Sequence, residues 1–255
     1  MLPAERKRVI VELVSEHDGC SVDDLADDLE YSKATIRRDL RELEDDELIE
    51  RSHGGAVPVT TIGKEQTYGQ KEVQNLEIKR AIAGRAVEEI SEGQVVFFDA
   101  GTTTMQVAKR ASEDGSFLGV TNSPPLALEV GLADASVKLT GGTLRPKTQS
   151  LVGPSAERFL ERMHFDQLFL GTNSVDCDAG CTTPNEEEAQ MKAKMVERAE
   201  RVVLVADETK LGERSFVQFA NLADLDLFVT DATLTGERRE AFESAGVTIA
   251  DEVQP

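Results

Sequence analysis

Apolar positions recur at helical spacing over the first 45 residues, and from Leu76 onward short apolar runs alternate with further helical stretches. Val9, Ile10, Leu13 and Val14 share one face of a helix predicted over residues 5–16, which Asp18-Gly19 ends. Ser21 opens a second helix with Asp24 three residues on, a capping pattern, and Val22, Leu25, Ala26 and Leu29 follow at i, i+3, i+4, i+7. A turn around Glu30-Tyr31 leads into a third helix, with Ser32 as its N-cap. There Ile36, Leu40 and Leu43 form a narrow apolar stripe, while Lys33, Arg37, Arg38 and Arg41 spread over a neighbouring arc. Leu48-Ile49 is β-prone, Gly54-Gly55 reads as a turn, and Ala56-Val57 returns as a second strand.

Residues 58–75 show no clear period and read as a linker with at most local helix. Beyond it, a helical stretch from Leu76 precedes six β-prone runs, at 95–98, 117–120, 137–140, 167–170, 202–205 and 227–230. Short apolar strands separated by helices predict an open, mostly parallel α/β sheet covered on both faces. The expected organisation is therefore a winged helix-turn-helix domain at 1–57, a linker at 58–75 and an α/β domain at 76–255.

Composition changes this picture in two respects. The net charge of −20 argues at first sight against a nucleic-acid partner. Only 11 of the 28 basic residues are lysine, and 48 acidic residues are dispersed rather than gathered in one tail. That pattern suits a protein of a very salty cytoplasm, where self-repulsion is screened. At such salt DNA binding gains little from counterion release, so base contacts and dimer geometry must carry more of it. No apolar run has the length of a membrane span and no signal peptide is read, so a cytoplasmic location without membrane contact is expected.

Arginine near the N-terminus of a short helix supplies bidentate donors for guanine and phosphate, and two helices, a tight turn and a hairpin surround it. Taken alone the helix reads equally well as a solvated charged face; its neighbours favour the DNA reading. Candidate DNA contacts are Ser32, Lys33, Thr35, Arg37, Arg38 and Arg41 on the helix, with Arg51 and His53 on the wing.

In the second part each strand ends in small or polar residues, and ligands of open α/β sheets bind beyond the carboxyl ends of strands. Gly101, Thr102, Thr103 and Thr104 open a helix and are the first choice for a phosphate cradle. Asp99 and Asn122 are candidates for sugar hydroxyls, Lys210 for the cation, with Thr121, Gly141, Gly142, Gly171 and Asp207 completing the edge. Each loop alone is also ordinary turn chemistry. Glu186-Glu187-Glu188 reads mainly as a solvated helix start, with a carboxylate at the pocket rim as the alternative. Cys177 and Cys181 read as free thiols, since no second pair completes a metal site; no metal or cofactor is expected.

These motifs resemble the DeoR family of sugar-catabolism regulators. Ser32, Thr35, Ile36, Arg37, Arg38, Asp39 and Leu40 match its recognition helix, and Arg51, His53, Gly54, Gly55 and Ala56 its wing. Tyr31, where the family usually has valine, and Asp46-Glu47, in place of a usual glycine, depart from the pattern. Asp99 to Thr103, Thr121-Asn122, Gly141-Gly142 and Asp207 to Lys210 match the effector domain, which looks like the sugar-phosphate isomerase fold. The resemblance implies an inverted-repeat operator, a homo-oligomer, a phosphorylated sugar or polyol as effector, and relief of repression on binding. An isomerase-like enzyme carrying a DNA-binding domain is the alternative; it would need a carboxylate base and an oxyanion stabiliser, for which Asp99, Glu187 and Lys210 are the nominees.

Overall fold

The computed structural model describes residues 2–17, 19–46, 48–52, 54–57, 66–113, 117–132 and 136–255. They form two compact units, Met1–Leu76 and Glu77–Pro255.

The first unit runs α1 (Pro3–Glu16), β1 (Cys20–Ser21), α2 (Val22–Asp28), α3 (Lys33–Asp45), β2 (Glu50–Ser52), β3 (Gly55–Val57) and α4 (Tyr68–Val73). Its core takes Ile10 and Val14 from α1, Leu25 from α2, and Ile36, Leu40 and Leu43 from α3, so each predicted stripe points inward. The Ser21 hydroxyl accepts the Asp24 N–H at 3.0 Å, and that of Ser32 accepts the Thr35 N–H at 3.2 Å. The hairpin gains a third strand, β1, giving the order β1-β3-β2. Two residues carry no period, so β1 leaves no trace in the sequence. It explains Gly55, where a Cβ would lie 2.1 Å from the Cys20 carbonyl oxygen. Of the expected linker, 58–65 lie outside the described residues. Beyond them α4 is capped by Thr67, whose hydroxyl accepts from the Gln70 N–H while Gln70 accepts the Thr67 N–H.

Helix α5 (Leu76–Ala86) leads into the second unit, which continues with β4 (Val95–Phe98), α6 (Thr102–Ser112), β5 (Leu118–Thr121), α7 (Pro124–Leu132) and β6 (Val137–Leu139). A hairpin, β7 (Thr143–Arg145) and β8 (Ser150–Val152), precedes α8 (Pro154–Leu160), β9 (Gln167–Leu170), β10 (Ser174–Asp176) and β11 (Gly180–Thr183). Then come α9 (Glu186–Arg198), β12 (Val202–Val205), β13 (Val217–Ala220), β14 (Leu227–Val229), α10 (Gly236–Ser244) and β15 (Thr248–Ala250).

Seven strands make the main sheet in the order β15-β14-β12-β9-β4-β5-β6, and every neighbouring pair is parallel. Six correspond to the expected runs; β15 is the addition. The central strands are buried on both faces (Phe97, Phe98, Leu168, Phe169, Val203 and Leu204), which is why they read as continuous apolar runs. The hairpin β7–β8 and a sheet β10-β11-β13 are antiparallel and lie outside the main sheet. Strand order reverses between β4 and β9, and a crevice opens beyond their carboxyl ends at such a point.

Candidate functional sites

Asp99 follows β4 directly and is buried, and its Oδ2 accepts the N–H of Gly171, just past β9, at 3.0 Å. Lys192 of α9 reaches the same oxygen with its ammonium and donates to the Gly171 carbonyl at 2.9 Å. One turn earlier on α9, Glu188 Oε1 accepts from Ser150 Oγ at 2.7 Å and from Thr148 Oγ1, and pairs with Arg145 Nη1 at 2.7 Å. Asp99, Ala100, Asn122, Ser150, Glu188 and Lys192 line one small cleft. The sheet edge, α9 and the β7–β8 hairpin therefore meet at the switch point.

Burial pushes the Asp99 carboxyl above its ordinary value, against the pull of Lys192 and the Gly171 N–H. Burial also acts upward on Glu188, but the Thr148 hydroxyl, Lys192, Ser150 and Arg145 together outweigh it and leave the carboxyl below 4.5. A carboxylate held below its unfolded value contributes stability that is present above that value and lost as pH falls through the lower, folded one. Glu188→Gln is therefore expected to flatten the acid limb of the stability curve below about pH 4.5, measured by urea unfolding at successive pH values.

The predicted effector residues divide into three groups. Asp99 and Asn122 line the cleft, although Asn122 also braces it: its Oδ1 accepts the Ala100 N–H at 2.9 Å and its Nδ2 donates to the Leu151 carbonyl at 3.4 Å. Gly101 is the N-cap of α6, with no side chain capping that end, and Thr102 and Thr103 form its first turn. A second group serves the backbone. The buried Thr104 hydroxyl donates to the Asp99 and Gly101 carbonyls, at 2.6 and 2.9 Å, and the Thr121 hydroxyl accepts the Ser123 N–H at 3.0 Å. Gly141 and Gly142 have φ of +73° and +112°, and a Cβ on Gly142 would meet the Val152 carbonyl oxygen at 2.6 Å. Third, Asp207 and Lys210 sit past β12, where Asp207 Oδ1 accepts the Thr209 N–H at 3.1 Å. Neither lines this cleft, and Lys192 rather than Lys210 is the cation on Asp99.

Lys192, Ser150, Thr148 and Arg145 have no place in the sequence reading, which favours a solvated helix start for Glu188 over the cleft where the side chain lies. A signal exists. Glu188, Met191, Lys192 and Met195 stand at i, i+3, i+4 and i+7 and are all buried, so two ionisable residues occupy an otherwise apolar stripe. Cys177 is half-buried, while Cys181 is wholly buried with its thiol pushed up to about 12 by desolvation, which keeps it protonated. Among the described residues no group of His, Cys, Asp and Glu is placed to hold a metal ion.

On the first unit, Arg37, Arg38 and Arg41 of α3 and Arg51 of β2 are exposed. Arg38 lies 3.9 Å from Glu42, and Lys33 pairs with Asp23 at 2.7 Å. Arg37, Arg41 and Arg51 make no ion pair among the described residues, so their guanidinium groups are open to an anionic partner. Ser32 and Thr35 share a hydroxyl–hydroxyl bond at 2.9 Å at the start of α3. His53 lies outside the described residues. The departure at Tyr31 has a structural use: its ring lies 4.4 Å beneath the Arg6 guanidinium, which forks onto Asp39 of α3 at 2.6 and 3.1 Å.

Comparison with known proteins matches residues 6–61 to the DeoR-like helix-turn-helix domain and residues 74–232 to the DeoR C terminal sensor domain. The chain is 70% identical over 253 residues, 99% of each chain, to the HTH-type transcriptional regulator GlpR of Haloferax volcanii. It is 36% identical to the uncharacterized HTH-type transcriptional regulator YulB of Bacillus subtilis, covering 98% of this chain and 96% of the other. With the HTH-type transcriptional repressor GlcR of the same organism it shares 32% identity over 91% and 89%. A ribose-5-phosphate isomerase solved with phospho-erythronic acid overlaps 53% of this chain and 54% of its own at 20% identity and a TM-score of 0.41, a likeness too partial to speak to ligand or chemistry.

Proposed function

The chain belongs to the DeoR family of transcriptional regulators, and on that premise we propose that a phosphorylated sugar or polyol releases it from its operator. It is a DNA-binding regulator of sugar catabolism and a repressor, not an enzyme. In the proposed cycle α3 enters the major groove of each half of an inverted repeat, with Arg37, Arg38 and Arg41 on bases and phosphates and Arg51 on the backbone. A homo-oligomer supplies the second helix.

The observation that carries the effector half is the pre-paired cleft. Lys192, which lines it, already holds Asp99, and Arg145 of the β7–β8 hairpin holds Glu188. An anionic ligand entering beside Asp99 must exchange partners with them, and the exchange reaches α9 through Lys192 and the β7–β8 hairpin through Arg145. That makes ligand binding a change of partners in two elements, which is what a sensor needs. The same pairing disfavours the isomerase alternative, because Asp99, its nominated base, is already engaged by Lys192 and the Gly171 N–H, and Lys210 does not line this cleft.

Arg37→Ala and Arg38→Ala are each expected to weaken operator binding by roughly 1–3 kcal/mol where the arginine reads a base, measured by gel shift on the protein's own upstream DNA. Unchanged binding would place a different helix in the groove. The dispersed acidic surface further predicts a melting temperature that rises from dilute to molar KCl; a flat response would remove the halophile reading.

A further inference from the structure

We propose that the outer face of α7, with the adjoining end of β6, is the surface through which two copies of this chain associate. The proposal rests on the homo-oligomer invoked above for operator binding and names its interface. Six large apolar side chains stand exposed among the described residues, and four fall in one short stretch: Leu128 (71% exposed), Leu132 (83%), Leu139 and Leu144. Leu128 and Leu132 are one turn apart on α7, so they share a face. That helix, PPLALEVGL, has a single charged residue, Glu129, which is drawn off to Lys109 of α6 at 3.6 Å. A helix apolar on all sides belongs in an interior, yet only Leu126 and Val130 of α7 are buried. Beside it, β6 is the last strand of the main sheet and has no neighbour on its far side among the described residues. Leu139 is 40% exposed there, whereas β4 and β9 are covered on both faces.

Charge identifies the occupant. Two copies of a chain carrying −20 repel one another wherever acidic surface meets acidic surface. Residues 117–156 contain two acidic residues, Glu129 and Asp134, against three basic ones, Lys138, Arg145 and Lys147. At the average of the chain, forty residues would hold seven or eight acids. Among the exposed, described residues of this stretch the one charged side chain is Lys138, so the exposed leucines have no exposed acid beside them in the chain, as a surface that must meet its own image requires. A single recognition helix reads one half-site, and a second copy supplies the other. A foreign partner would gain nothing from the loss of acid unless it were acidic itself.

The test is sedimentation equilibrium on the full chain in molar KCl, comparing wild type with the Leu128→Asp, Leu132→Asp double variant and with Phe216→Asp. Phe216 is 77% exposed but outside the stretch and serves as the control. The expected result is a wild-type mass of at least twice 27.8 kDa, retained by Phe216→Asp, and a folded double variant whose dissociation constant rises roughly 100-fold or more. If the double variant fails to fold by circular dichroism, Leu132→Gln, which disturbs no buried side chain, is expected to raise that constant about tenfold. A double variant, or in its place Leu132→Gln, that associates as tightly as wild type overturns the assignment of this face and leaves the oligomer standing. A monomeric wild type overturns both.

Discussion

Lys192→Ala is expected to destabilise the second unit by about 3–5 kcal/mol, because it strands a buried carboxylate without its cation. Asp99 is 1% exposed, and among the described residues the Gly171 N–H would remain as its charge-stabilising partner. Urea unfolding followed by far-ultraviolet circular dichroism measures the loss. The pH dependence separates this cause from a simple packing defect. Burial already raises the Asp99 pKa, so the native state holds a proton that the unfolded chain releases near its ordinary value of about 3.9. Such a group loses stability as pH rises from that value through the folded one, and the deficit of Lys192→Ala is therefore smaller in acid than at neutral pH. The double variant Asp99→Leu, Lys192→Met is expected to recover most of the loss, since replacing both partners leaves no buried charge. A deficit below about 1 kcal/mol for Lys192→Ala would mean that water reaches Asp99 freely.

Asp39→Ala is expected to cost the first unit a similar amount, about 3–5 kcal/mol, by leaving Arg6 buried and unpaired. Arg6 is 4% exposed; the Asp39 fork, with a smaller push from a hydrogen bond to Tyr31, holds its guanidinium above its ordinary pKa against the pull of burial. The pair ties α3 to α1, so losing it also loosens the helix assigned to the major groove. The chain offers a clean readout: it has no tryptophan, and both tyrosines, Tyr31 and Tyr68, lie in the first unit, while all ten phenylalanines lie in the second. Tyrosine fluorescence during urea unfolding thus reports the first unit. A midpoint unmoved by Asp39→Ala would show that α3 is held by its apolar stripe alone.

Both residues show where sequence reading succeeds and where it stops. The first three helices and six strands of the sheet are legible because their burial follows a regular period, as Ile36, Leu40 and Leu43 or the run at 95–98 illustrate, whereas α4 falls in the stretch that reads as a linker. Asp39 and Lys192 break that regularity. Each sits in a buried stripe and is tolerable there only because a distant residue, Arg6 or Asp99, supplies the opposite charge. Such pairing across 33 or 93 residues has no local signature. The cleft is half legible for the same reason. Asp99 and Asn122 stand at strand ends, where ligands of this architecture bind, whereas Arg145, Thr148 and Ser150 arrive on a hairpin whose strands are three residues each. One loop threonine misleads in the opposite direction. Thr104 has the chemistry of a phosphate cradle, but its hydroxyl donates to the Asp99 and Gly101 carbonyls.

Operator DNA and a phosphorylated sugar are proposed to compete through one protein. Linkage makes this quantitative: whatever factor the ligand takes from operator affinity, the operator must take from ligand affinity. The decisive measurement is a fluorescence-anisotropy titration on labelled upstream DNA in molar KCl, with a panel of sugar and polyol phosphates, paired with calorimetry of the active ligand on free and on DNA-bound protein. The expected result is one phosphate that releases the DNA and binds the free protein more tightly than the DNA complex by the same factor. A ligand bound equally well by both forms, or DNA binding that no phosphate weakens, would contradict it.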